Sequence, residues 1–165
     1  MVIWTLVIGI YLELGIWLLE FDVQGGSMTF SETISLSTKG FSDIINLTTE
    51  VHGVLKRSKI ENGLVTVFCP GSTGAVTTIE YETGVLRDLQ KAIEKIAPSN
   101  IPYEHDQRWG DGNGFSHVRA ALMKPSLTVP LINGRLTLGT WQQIVFIDFD
   151  NRKRERDLLI HILGE

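Results

Sequence analysis

The chain has 165 residues, 43% of them hydrophobic and 21% charged, a balance that fits one globular domain with a sizeable core. A formal net charge of −4 gives no electrostatic footprint for nucleic acid. Cys69 is the only cysteine, which excludes an internal disulfide and C-x-x-C metal motifs and suits a reducing cytoplasm.

Residues 1–27 are read as an apolar N-terminal extension and residues 28–165 as the domain proper. No Lys or Arg precedes Lys39, so the stretch lacks the basic region of a secretory signal. Glu13 would fall near the bilayer centre of a spanning helix, and a membrane role is not expected. Gly25-Gly26-Ser27 reads as a break, with Met28 as an alternative start.

Alternation around Ile34 and Leu36 predicts a half-buried strand over Phe30–Ser37. Ser42 or Asp43 is placed as the cap of a helix carrying Ile44, Leu47, Val51 and Val54. Asn62-Gly63 signals a turn before a central strand over Leu64–Cys69. Cys69 is then a core thiol rather than a nucleophile. After Pro70–Gly74 a second strand runs from Ala75 to Glu80, and Val85 to Ile96 marks an amphipathic helix that stops before Pro98. A glycine-rich loop follows, and Ser116 is placed as the cap of a short helix through Met123. Strands then dominate. Leu127–Leu131 turns through Asn133-Gly134 into Arg135–Leu138, Gln143–Phe149 follows, and Asp157–Leu163 returns after a basic cluster, Arg152-Lys153-Arg154 with Arg156, read as a charged hairpin tip in preference to a polyanion patch. The order predicts an α+β fold, a single compact domain with an antiparallel-rich β-sheet system and about three helices.

The chemistry-bearing residues concentrate between Tyr103 and Arg119. His105 and His117 lie twelve residues apart in a glycine-rich segment with Glu104, Asp106 and Asp111. Imidazole with carboxylate suits zinc or a similar ion, and oxygen ligands alone suit magnesium. The competing reading is that both histidines bond to loop backbone and order it. Ser72 and Thr73, in a turn with free backbone N–H groups, could cradle a phosphate, although no Walker lysine follows. Glu80 reads as a base, a ligand or a surface charge. Thr140 and Gln142 offer hydrogen bonds beside Trp141, a stacking wall or a core residue at a bulge. His52 and His161 read as structural or solvated.

Four segments in this order, Gly71–Glu80, Tyr103–Asp106, Ser116–Arg119 and Gly134–Gln142, resemble the YjbQ-like family in its archaeal-type form. It is also called the secondary thiamine-phosphate synthase family. The resemblance spans about Met28 to Glu165 and includes the closing Gly164-Glu165. It implies an α+β subunit in a homo-trimer, with polar sites near subunit boundaries and a metal-associated site using His105 and His117, to which the residue chemistry adds Asp106 as a third ligand of a divalent ion, zinc or magnesium. It also implies a motif carboxylate at Glu80 and a small phosphorylated metabolite as substrate, in a thiamine-phosphate synthase type of transfer. Arg119 is then the expected phosphate contact. A non-catalytic metabolite-binding trimer and a metal-dependent phosphohydrolase are the alternatives. Phe115 and Gly71 stand where relatives often carry histidine, which takes two imidazoles out of the expected set.

Overall fold

The computed structural model describes residues 27–165. The extension expected over residues 1–27 therefore lies outside the described residues, Ser27 excepted. Among the described residues no helix is long and apolar enough to cross a membrane.

Among the described residues eight strands form two antiparallel sheets. In chain order the elements are β1 Met28–Thr38, β2 Asp43–Asn46, α1 Thr48–Ser58, β3 Gly63–Phe68, β4 Gly74–Ile79, α2 Thr83–Ile96, α3 Glu104–Trp109, α4 Gly114–Met123, β5 Ser126–Ile132, β6 Arg135–Leu136, β7 Gln143–Asp148 and β8 Arg154–Gly164. The larger sheet has the order β1-β8-β3-β5-β6 and the smaller β2-β7-β4. The α+β class and the central position of β3 agree with the sequence reading.

The sheets face each other across a core made by Val65 and Val67 of β3, Ile144 and Phe146 of β7, and Leu158, Ile160 and Ile162 of β8, with Leu47, Val51 and Val54 closing it from α1. A second core lies behind the smaller sheet. There Val145 and Ile147 of β7 meet Ala75, Ile93 of α2 and Ala120 of α4. β7 thus has apolar neighbours on both faces, which explains its unbroken run Ile144–Ile147.

Three elements depart from expectation. The helix expected to start at Ser42 or Asp43 starts at Thr48, because residues 43–46 pair with β7 as β2. Gly40, Phe41 and Ser42 all have positive φ, at 73°, 52° and 65°, so the chain is in a left-handed turn where a helix cannot begin. Ile44 then belongs to the core behind the small sheet, whereas Leu47, Val51 and Val54 fill the one between the sheets. Helices number four among the described residues, since Glu104–Trp109 forms α3 within the segment read as loop. Six residues with none buried leave no apolar periodicity to detect. The cap of α4 falls at Asn113 rather than Ser116. The chain end is pinned by Glu165, which donates its N–H to the Asn62 carbonyl (2.9 Å) and accepts from Glu61 N (2.9 Å).

Candidate functional site

At one end of the sandwich three turns converge: Pro70–Thr73 between β3 and β4, residues 149–153 between β7 and β8, and the α3–α4 junction. Phe149 joins them through its backbone. Its N–H donates to Thr73 O (2.9 Å), and its carbonyl accepts from Ser116 Oγ (2.5 Å). Asn113 Oδ1 accepts from Asn151 N (3.1 Å) and lies 2.6 Å from Ser116 Oγ, whose one proton it shares with the Phe149 carbonyl, and this fixes the start of α4 against the β7–β8 turn.

On that scaffold the two histidines meet. The rings of His105 and His117 are 4.4 Å apart between centroids, tilted by 44°. His105 Nε2 is buried and has no hydrogen-bond partner among the described residues, and Asp111 Oδ1 lies 3.5 Å from it. Partial desolvation pushes the Asp111 carboxyl up, but the Asn113 N–H and the His105 imidazole outweigh it and leave it below the ordinary value. Asp106, expected as a third ligand, accepts Gly114 N at 2.8 Å through Oδ1 and so holds the first turn of α4. Gly114 is required there, because a Cβ would lie 2.5 Å from Tyr103 Cβ. The carboxylate nearest the imidazoles is therefore that of Asp111. Among the described residues no group of three His, Cys, Asp or Glu side chains closes around one point.

Beneath the Pro70–Thr73 turn lies a cluster that the sequence reading missed. Asp148 is fully buried and accepts from Arg156 Nε (2.8 Å), Arg156 Nη2 (2.7 Å), Thr38 Oγ1 (2.6 Å) and Asp150 N (3.0 Å). Asp150 Oδ2 accepts from Arg154 Nε (2.9 Å) and Thr73 Oγ1 (3.0 Å), while its Oδ1 is buried without a partner. Burial pushes the Asp150 carboxyl up; the hydrogen bonds from Arg154 and Thr73 and the two guanidinium charges outweigh it, so the net shift is downward. The available signal was the alternation Arg154, Arg156, Leu158, which turns both arginines inward along β8. It was read as a charged tip.

Thr73 needs a correction. Its side chain is buried, donates to Asp150 and accepts from Arg156 Nη2 (2.8 Å), so its hydroxyl is committed to protein. Ser72 remains exposed on the turn. Arg119 needs one too. At 3.6 residues per turn it projects about 200° around α4 from His117. It is 4% exposed and donates to Ala97 O (2.9 Å), Ser42 Oγ (3.2 Å) and the Glu94 carboxylate. It therefore ties α4 to the end of α2 and cannot contact a phosphate beside His117. Phe115 shares its face, with the Arg119 guanidinium 4.8 Å from the ring centre. A histidine at position 115 would point away from His117, so Phe115 costs that pair no ligand.

The remaining candidates sit at the other end of the small sheet. Glu80 follows the last residue of β4, and Thr140-Trp141-Gln142 precedes β7. Gln142 Oε1 accepts Gly139 N (2.7 Å), its Nε2 lies 3.4 Å from Thr78 Oγ1, and Trp141 is 69% exposed, so the core alternative for this tryptophan is ruled out. The six residues of β4 separate the two ends by about 20 Å. One chain does not bring Trp141 and Glu80 to His117. Elsewhere, His52 Nδ1 bonds Thr48 O (2.7 Å), His161 Nδ1 pairs with Ser31 Oγ (2.7 Å), and burial pushes the Cys69 thiol up.

Comparison with known proteins fits this picture. Residues 32–165 match the family model described as UPF0047 protein YjbQ-like. A UPF0047 protein of Methanothermobacter thermautotrophicus is 37% identical over 136 residues, covering 82% of this chain and 93% of its own. The UPF0047 protein YugU of Bacillus subtilis is 31% identical, covering 81% and 98%. Among solved structures, a YbjQ-like protein of unknown function from Sulfolobus solfataricus superposes with a TM-score of 0.80 at 27% identity, over 85% of this chain and 100% of that one. An uncharacterized YjbQ/UPF0047 protein from Clostridium acetobutylicum gives 0.72 at 32% identity, over 79% and 98%. With its two stacked sheets, its order of motifs and these relatives, the chain belongs to the YjbQ-like UPF0047 family.

Proposed function

We propose that the protein binds a divalent metal at His105 and His117 and acts there on a phosphorylated metabolite, in a site completed by a neighbouring copy of the chain. The observation that carries this is the buried, unbonded Nε2 of His105, beside a second imidazole and the Asp111 carboxylate. A buried ring nitrogen without a partner is costly unless something else engages it. Two imidazoles are part of the donor set of a zinc-type ion, and because no three such side chains of one copy close around a point among the described residues, a further ligand is expected from the neighbouring copy. Such an ion supplies electrostatic stabilisation of phosphate oxygens.

The roughly 20 Å between the two ends of β4, with the histidines at one end and Trp141 at the other, supports the second half of the reading. A homo-trimer, as the family resemblance implies, can set the Trp141 end of one copy against the histidine end of the next. Trp141 would then stack on a heteroaromatic ring, Thr140 and Gln142 would orient it, and Glu80 would accept a proton or a hydrogen bond. In the thiamine-phosphate synthase type of transfer, a thiazole nitrogen attacks the methylene carbon of an aminopyrimidine diphosphate. The carbon–oxygen bond breaks and pyrophosphate departs with the electron pair. Binding without turnover is the second reading, favoured by Gly71, which leaves the turn next to Ser72 without an imidazole.

Elemental analysis of the zinc-loaded full chain and of His117→Ala is the test, with light scattering against three times the 18.4 kDa chain mass. Metal lost in His117→Ala is expected; unchanged metal content overturns the site. Mixed assemblies of His117→Ala and Trp141→Ala chains should recover product formation from the two precursors that neither variant shows alone. A monomer in solution removes the shared-site argument. Ligand binding without product under any metal condition leaves the binding reading in place of the enzyme.

A further inference from the structure

We propose that Arg156 is the anion-recognising group at this end of the sandwich, binding a phosphate or diphosphate at the Gly71–Ser72 turn. Only the choice of ligand rests on the function proposed above. The guanidinium is held from one side. Nε and Nη2 form the fork to Asp148 (2.8 and 2.7 Å), and Nη2 also reaches Thr73 Oγ1 (2.8 Å) and Asp150 Oδ2 (3.4 Å). Nη1 is left without an acceptor among the described residues, and it lies 3.7 Å from where a Cβ on Gly71 would be. Gly71, at φ 126°, has no side chain to cover it.

Gly71 and Ser72 are exposed, and their backbone N–H groups have no acceptor among the described residues. Two amide donors, the Ser72 hydroxyl and one guanidinium nitrogen therefore share one turn. The surrounding charge favours an anion. Arg154 and Arg156 offset Asp148 and Asp150, while Glu155 and Asp157 turn to the opposite face, where Ser37 and Ser35 donate to them (2.8 and 2.7 Å). The exposed Arg152 and Lys153 at the adjacent tip remain as uncompensated positive charge. Because Asp148 already fixes the guanidinium, an anion meets a preset donor and loses little side-chain entropy on binding.

The experiment titrates the metal-free full chain with inorganic pyrophosphate and follows Ser72 N–H and Arg156 Nε–H by nitrogen–proton NMR, with sulfate at matched ionic strength as control. Saturable shifts at both groups are expected, weaker for sulfate. Arg156→Lys keeps the charge and loses the fork, and should bind roughly tenfold to a hundredfold more weakly. Pyrophosphate shifts absent from Ser72, or an unchanged affinity in a folded Arg156→Lys, overturn the proposal. If that variant fails to fold, the wild-type shifts decide alone. His117→Ala separates this site from the metal: it should retain the pyrophosphate shifts. Metal uptake without anion binding defeats Arg156 alone, and anion binding without metal uptake defeats the metal site alone.

Discussion

Asp148→Leu is the perturbation whose cost can be worked out most directly. Asp148 is fully buried and receives four hydrogen bonds, two of them from a guanidinium that is itself 12% exposed. Removing one partner of a buried ion pair costs about 3–5 kcal/mol, mainly because the other charge is stranded. Arg156 keeps Thr73 and a long contact to Asp150, so the lower end, about 3 kcal/mol, applies. For a chain of this length that corresponds to a melting point lower by about 6–12 °C. The assay is a thermal melt of wild type, Asp148→Leu and the double variant Asp148→Leu with Arg156→Met. The double variant should recover most of the loss, since neither charge is then buried. A drop below about 2 °C in the single variant, or a double variant no better than the single, refutes the reasoning that the pair is desolvated.

Arg119→Met should lower stability by about 1–3 kcal/mol through the lost bonds to Ala97, Ser42 and Glu94, with metal content unchanged in elemental analysis. Gly164→Ala places a Cβ against the Asn62 carbonyl and 2.9 Å from Ile60 Cγ2, so about 1–3 kcal/mol of stability should be lost in urea titration. The Asp150 carboxyl is lowered in the folded chain. Its contribution is therefore complete above the ordinary carboxylate range and lost as pH falls through the folded value. Melting points should decline below about pH 4, and Asp150→Asn should flatten that decline.

The elements that were legible from sequence have a periodic apolar signal or a turn chemistry with one solution. β3, β4, α2, β5 and the Asn133-Gly134 hairpin are of this kind. β2 was not, because Ile44 matches the spacing of the helix that follows while its backbone pairs with β7. Within the site, the meeting of His105 and His117 was expected from a returning loop. That Asp111 rather than Asp106 stands beside them depends on which carboxylate holds the start of α4, and spacing does not encode that. Arg119 was misread for a related reason. Two residues along a helix project in nearly opposite directions, so neighbours in a motif need not be neighbours in a site.

The strand between the two cores has a consequence for assembly. β7 begins at Gln143, next to Trp141, and ends at Asp148, next to the Arg156 fork and the turn that holds Ser116, the residue before His117. It acts as a ruler whose length sets the spacing between the Trp141 end and the histidine end of the small sheet. With both faces packed, it can neither slide nor stretch by a residue without turning its apolar side chains to the wrong core. In the trimer proposed above, where the Trp141 end of one copy would meet the histidine end of the next, that fixed length would also set how far apart complete sites stand.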